Sequence, residues 1–213
     1  MVRSMLRSVL VSTLLFATLP ALAGAQREED LSFSVATAMQ RSINDSASPR
    51  LVFANPNEGQ AWMTEMSARL KKRIPDDFMR EKLLTAIHYE ATRAGLDPQM
   101  VMGLIHVESG FRRYAISSVG ARGLMQVMPF WQRAIGKGDH NLFDMYTNLR
   151  FGCTIMRHYL NVEKGDLYRA LGRYNGSTGR PEYPNAVLAA WRTHWDWQPG
   201  QVRVQTVSYP TNK

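Results

Sequence analysis

The chain has 213 residues, 45% hydrophobic and 21% charged, with five Trp, eight Tyr and eight Phe. This is enough apolar material for one core of ordinary size, which excludes a wholly disordered chain and argues against an array of domains. Twenty-six Lys and Arg against eighteen Asp and Glu leave a formal charge of +8, which favours an anionic partner, while the single Cys153 excludes an intramolecular disulfide framework and a cysteine-based zinc site.

Arg3 and Arg7 precede an apolar run from Val9 to Leu19, and Pro20 leads into the small-residue stretch Ala21 to Ala25. These are the three regions of a secretory signal peptide, and eleven apolar residues are too few to span a bilayer, which takes about 20. Export with cleavage after Ala25 is expected, without a stable membrane anchor. Loss of Arg3 and Arg7 takes the +8 chain to +6. In an exported protein an unpaired Cys153, set in the apolar run Phe151 to Met156, is expected to be a buried packing residue.

Residues 26–58 are rich in Ser, Ala, Asn and Arg, with turn signals at Ser48-Pro49 and Asn55-Pro56-Asn57, and are expected to form a flexible N-terminal arm. Residues 59–198 carry the folded domain. A helix is expected from an Asp76 cap to Gly95, and another opens at Asp97-Pro98 and runs to about Glu108. Three glycines and Ser117-Ser118 make 110–123 a loop with room for a short strand pair. Helical periodicity returns over 148–162, 166–174 and 185–195, and residues 199–213 read as a C-terminal tail. The fold class is mainly α, with at most a small β element.

Glu108 is the most informative position. Ile105, Leu104 and Val101 lie three, four and seven residues before it, so a carboxyl group ends an apolar helix stripe. Desolvation of such a group raises its pKa and suits it to act as a general acid. Periodicity alone is equally compatible with a Glu that turns to water at the helix end.

Downstream the chain reads Glu108-Ser109-Gly110-Phe111, then Ala115, Ser117, Gly120-Ala121 and Gly123-Leu124-Met125-Gln126-Val127-Met128-Pro129, with Tyr174-Asn175-Gly176 far beyond. This resembles the soluble-type lytic transglycosylase family, over roughly residues 78 to 197. More than ten positions agree in type and spacing across the 22 residues from Glu108 to Pro129. The resemblance implies a lysozyme-like α fold with a groove for a glycan strand. It implies non-hydrolytic cleavage of the β-1,4 bond between N-acetylmuramic acid and N-acetylglucosamine in peptidoglycan, leaving 1,6-anhydromuramyl ends. Glu108 would be the single catalytic acid and base. Ser117 and Gln126 would hydrogen-bond sugar amides, Met128 would line the groove, Tyr174 would contact Glu108 or the scissile site, and Asn175 would hold that geometry. Two departures from the pattern bear on groove shape: Asn175 is followed directly by Gly176-Ser177, and Phe130-Trp131 follows Met128-Pro129.

Ordinary glycosidases pair two carboxyl groups about 5 to 9.5 Å apart. Asp139, Asp144, Glu163, Asp166 and Glu182 are the possible second partners here, with helix capping and solvated surface as the expected reading. Tyr114, Trp131 and Tyr183 would either stack on sugars or pack in the core, and Met125 is expected in the core. None of the histidines at 88, 106, 140, 158 and 194 forms a His-Glu-x-x-His pair, so no metal or other cofactor is expected. The expected partner is the peptidoglycan strand in the periplasm rather than nucleic acid, bound by a monomer. The alternatives are a goose-type lysozyme-like hydrolase and a peptidoglycan-binding protein without turnover.

Overall fold

The computed structural model describes residues 26–45 and 47–199. The expected signal peptide, and all but the first residue of the expected tail, lie outside the described residues. Eight α-helices are present among the described residues: α1 (Phe33–Ile43), α2 (Pro56–Leu70), α3 (Asp77–Arg93), α4 (Pro98–Ser109), α5 (Phe130–Ile135), α6 (Met145–Val162), α7 (Leu167–Tyr174) and α8 (Glu182–Ala190). A π-helical turn, Trp191–Trp195, continues α8. The β content of the described residues is two isolated bridges, Ile116 with Arg122 and Arg122 with Val127. The mainly α class follows.

The starts of these helices are written in short polar residues. Asp76, Asp97, Asp144 and Asp166 each accept a backbone N–H of the following first turn, at 2.7, 2.6, 2.9 and 3.0 Å. Each carboxylate satisfies an orphan donor and sits at the positive end of the helix dipole. Asp144 and Asp166, two of the possible second carboxylates, are therefore caps.

Two helices depart from the expected organisation. The 26–58 segment is not a loose arm throughout. Ser32 caps α1 through the Val35 N–H, and Met39 and Ile43, one turn apart, are buried while Val35 packs beside them. The polar residues that dominate this stretch occupy the other face, so composition concealed a one-sided stripe that docks on α5 and α6. Asn55-Pro56 is likewise a helix start rather than a turn. The Asn55 side chain accepts the Asn57 N–H at 2.9 Å and Pro56 occupies the first helical position, where a missing N–H costs nothing.

The core gathers Trp62, Met66 and Leu70 of α2, Leu84 and Ile87 of α3, Val101, Leu104 and Ile105 of α4, and Leu149, Phe151, Cys153, Ile155 and Met156 of α6. Cys153 is fully buried and its thiol pKa is pushed up by desolvation, so it packs rather than reacts. The buried Glu90 pairs with Arg93 at 2.7 Å and Arg150 at 2.9 Å, joining α3 to α6. On its other side α4 meets α8 and the π-helical turn. Gly103 permits this approach: a Cβ there would stand 2.9 Å from the Trp191 Cβ and 3.0 Å from its backbone nitrogen. The contact fixes where α8 lies against the end of α4 that carries Glu108.

Candidate active site

Glu108 occupies the last turn of α4, which ends at Gly110 in the left-handed conformation, φ 58°. Its side chain turns inward rather than to water, and the residue is only 4% exposed. Oε1 accepts the hydroxyl of Tyr183 at 2.5 Å, and Oε2 has no partner among the described residues. Desolvation pushes the Glu108 pKa up to about 8, opposed by the Tyr183 hydrogen bond, which favours the ionised form. Tyr183 stays neutral because burial and the adjacent carboxyl group hold its own pKa well above the usual value. Among the described residues no second carboxylate contributes to the Glu108 shift. Glu163 is engaged by Arg169 and Arg173, and Asp139 and Glu182 are exposed.

The loop after α4 is built largely from backbone. Ser109 donates its hydroxyl to the Leu124 carbonyl at 2.7 Å and so fastens the Glu108 turn to the following Gly-Leu-Met-Gln segment. Asn148 of α6 serves that segment three times. Its Oδ1 accepts the Met125 N–H at 2.8 Å, and Nδ2 donates to the carbonyls of Arg122 and Leu142, each at 2.8 Å. Gly123 is required beside it, because φ is 77° and a Cβ would stand 2.4 Å from the Asn148 amide nitrogen. Met125 is core, as expected, lodged against Gly152.

Gln126 and Tyr174 differ from the expectations placed on them. The Gln126 side chain is buried and donates to the carbonyls of Ala115 at 3.1 Å and Gly123 at 2.9 Å, so it holds the loop instead of facing a ligand. These bonds hold Gln126 at φ 48°, a conformation a non-glycine residue adopts only when its surroundings impose it. Tyr174 is fully buried and donates its hydroxyl to the Met125 carbonyl at 2.8 Å. The tyrosine on Glu108 is Tyr183.

Ser117 is half-buried, accepts the Ala121 N–H at 3.0 Å and keeps its hydroxyl hydrogen available. Met128 is partly buried against the core, and Asn175 caps α7 and bonds Ser177 Oγ at 3.1 Å. Of the three possible stacking rings, Trp131 and Tyr183 are buried and Tyr114 is 69% exposed. His106, two residues from Glu108, lies against Arg73 and Trp195, and desolvation lowers its pKa to about 4.

Gln26 and Asn148 were not among the groups expected here from the sequence. The Gln26 carboxamide donates to the Gln126 carbonyl and accepts the Met128 N–H, both at 3.2 Å. No periodicity could have found it, since it acts across a hundred residues of chain. Asn148 did carry a signal, a polar residue one turn before Gly152 on the buried stripe of α6. The pairing of Tyr183 with Glu108 depends on how α4 and α8 cross.

A family model described as the transglycosylase SLT domain matches residues 85–186. The chain is 34% identical over 100 residues to a transglycosylase of Enterobacteria phage PRD1, covering 44% of this chain and 37% of that one. It is 35% identical over 118 residues to membrane-bound lytic murein transglycosylase C of Actinobacillus pleuropneumoniae serotype 5b, covering 52% of this chain and 30% of the relative. To the protein of the same name from Mannheimia succiniciproducens it is 42% identical over 161 residues, covering 62% of this chain and 42% of the relative. The chain thus spans between 30% and 42% of the length of these relatives.

Proposed function

Residues 85–186 belong to the transglycosylase SLT domain family, and on that premise we propose that the protein is a peptidoglycan lytic transglycosylase with Glu108 as its single acid and base. The observation that carries this reading is the enclosed Glu108 carboxyl group, its pKa raised to about 8, with one oxygen held by Tyr183 and the other free.

The free oxygen defines the chemistry. Because Oε1 accepts the Tyr183 hydrogen bond, the acidic proton resides on Oε2. Near neutral pH the group is protonated and donates that proton to the glycosidic oxygen between N-acetylmuramic acid and N-acetylglucosamine. The C1–O bond breaks with its electron pair going to the leaving oxygen, and C1 becomes electron-poor. The muramyl C6 hydroxyl oxygen then bonds to C1 while its proton passes to Oε2. The products are a 1,6-anhydromuramyl end and a free hydroxyl on the departing sugar, with Glu108 protonated again. No water is consumed and no second carboxylate is required. The Tyr183 hydroxyl stabilises the carboxylate formed midway and fixes its orientation.

The groups around Glu108 serve the glycan and the loop that meets it. Ser117 and Met128 face the strand, Gln126 and Asn148 hold the loop, and Tyr174 and Asn175 support it from α7. The partner is the peptidoglycan strand in the bacterial envelope, reached by export through the leader at residues 1–25. The positive charge matches the lactyl and peptide carboxylates of that polymer.

The test is mass spectrometry of the muropeptides released from purified sacculi, with Glu108→Gln run in parallel. Anhydromuramyl products that vanish in the variant are the expected result. Reducing ends would instead make the protein a hydrolase in which water replaces the C6 hydroxyl. Wall binding without release would make it a binding protein.

A further inference from the structure

Residues 26–31 form a strap across the edge of this site. At one end Gln26 is 4% exposed, with its carboxamide bonded to the Gln126 carbonyl and the Met128 N–H. Three residues on, Glu29 pairs at 3.0 Å with Arg173, the neighbour of Tyr174 in sequence. Leu31 then packs on the core, and Ser32 caps α1. Arg27, Glu28 and Asp30 are exposed. Among the described residues no backbone hydrogen bond joins 26–31 to the rest of the protein, so side chains alone hold the strap. It can lift without breaking a helix.

The two backbone groups that Gln26 occupies lie on the turn between Gly123 and Pro129, the turn that Ser109 fastens to the Glu108 helix end. A carbonyl acceptor and an N–H donor side by side suit an N-acetylated sugar, whose acetamido N–H donates and whose oxygens accept. Free Oε2 is enclosed in this arrangement, so a glycan must open the site to reach it. We propose that residues 26–31 are an intramolecular pseudo-ligand: the Gln26 carboxamide fills groups that the glycan uses, and the substrate must displace the strap before turnover. The inference rests on the glycan reading of the site given above. Its physical consequence is a lower apparent affinity, because a ligand that binds only the open state loses affinity in proportion to the open fraction. A strap held by two hydrogen bonds and one partly exposed ion pair, each of modest net worth, accounts for a factor of roughly 3 to 30.

The test uses the full chain and its Gln26→Ala and Gln26→Glu variants, with tri-N-acetylchitotriose as the probe. Gln26→Glu preserves shape but sets a carboxylate oxygen against the Gln126 carbonyl in place of a donor. Both variants are expected to bind chitotriose about 3- to 30-fold tighter in calorimetry. The Met128 amide should exchange faster with solvent in the free variants, and Glu29→Gln should act in the same direction with smaller effect. Unchanged affinity, or weaker binding, overturns the strap as a competitor. Sacculus digestion separates this result from the enzymatic reading. If chitotriose affinity rises while no form digests sacculi, the strap stands and the lyase reading fails; digestion with unchanged chitotriose affinity gives the reverse. A chain that binds no chitotriose in any form overturns the strap as a competitor, and sacculus digestion then decides the lyase reading by itself.

Discussion

Tyr183 reaches Glu108 from α8 across 75 residues of chain, and its hydroxyl lies 2.5 Å from Oε1 of the buried carboxyl group. The two side chains pull in opposite directions on one proton. Burial of Glu108 favours the neutral acid, and the phenol favours the carboxylate. A group so balanced near neutrality can give a proton and take one back within a single turnover.

Activity should fall as pH rises through about 8, as the acid is lost. In Tyr183→Phe the carboxylate loses its hydrogen bond, so the alkaline limb of the kcat/KM profile moves to higher pH, while kcat drops roughly tenfold through lost orientation. Initial rates of muropeptide release across pH 5 to 10 check both. A limb that stays in place would leave Tyr183 a packing residue.

Folding stability carries the same signature. The native state keeps on Glu108 a proton that the unfolded chain releases above about 4.5, so this contribution is complete below that pH and is lost as pH rises toward 8. Stability should decline across this window by up to about 1.4 kcal/mol per pH unit from this group. Glu108→Gln does not titrate. Urea unfolding at pH 5 and pH 8 should therefore show its stability relative to the parent increasing with pH.

Asn148→Leu should destabilise the protein by about 3 kcal/mol, since it strands one buried N–H and two carbonyls of the loop beside Glu108. The loss is read by denaturant titration. Amide exchange should rise at Met125, whose N–H loses its acceptor, more than at Leu84 in the core of α3.

Gly103→Ala introduces a methyl group against the Trp191 backbone, which cannot rotate away as a flexible side chain would. A stability loss of about 2 kcal/mol is expected. Because the clash separates α4 from α8, kcat should fall together with the Tyr183 contribution to the pH profile. Leu104→Val, which trims the core of the same helix without touching that crossing, should lower stability and leave the profile in place.

The helix starts at Asp76, Asp97 and Asp166 were legible in the sequence because a cap is a local event, one side chain bonding N–H groups two or three residues ahead. The α1 stripe of Val35, Met39 and Ile43 was legible in principle, yet its period was masked by the small and polar residues around it. Glu108 stood out for the same local reason, as a carboxyl group closing an apolar stripe. What periodicity left open was whether it turned inward or to water.

That choice belonged to the tertiary structure. Burial of Glu108 and its bond to Tyr183 require α4 to pack against α8 and the π-helical turn that continues it, where Gly103 meets Trp191, and the inward rotation of Gln126 requires carbonyls from Ala115 and Gly123 to converge on one amide. Tyr174 and Tyr183 are both buried tyrosines near the same carboxyl group, and only the helix crossing decides which hydroxyl meets it. By itself the sequence determined the helical class, the caps and the residue types gathered around Glu108, since these depend on neighbours within a few positions. Hydrogen-bond partners, the burial that raises the Glu108 pKa and the placement of Gln26 on the site depend on surfaces brought together from distant parts of the chain, and only the folded structure decided them.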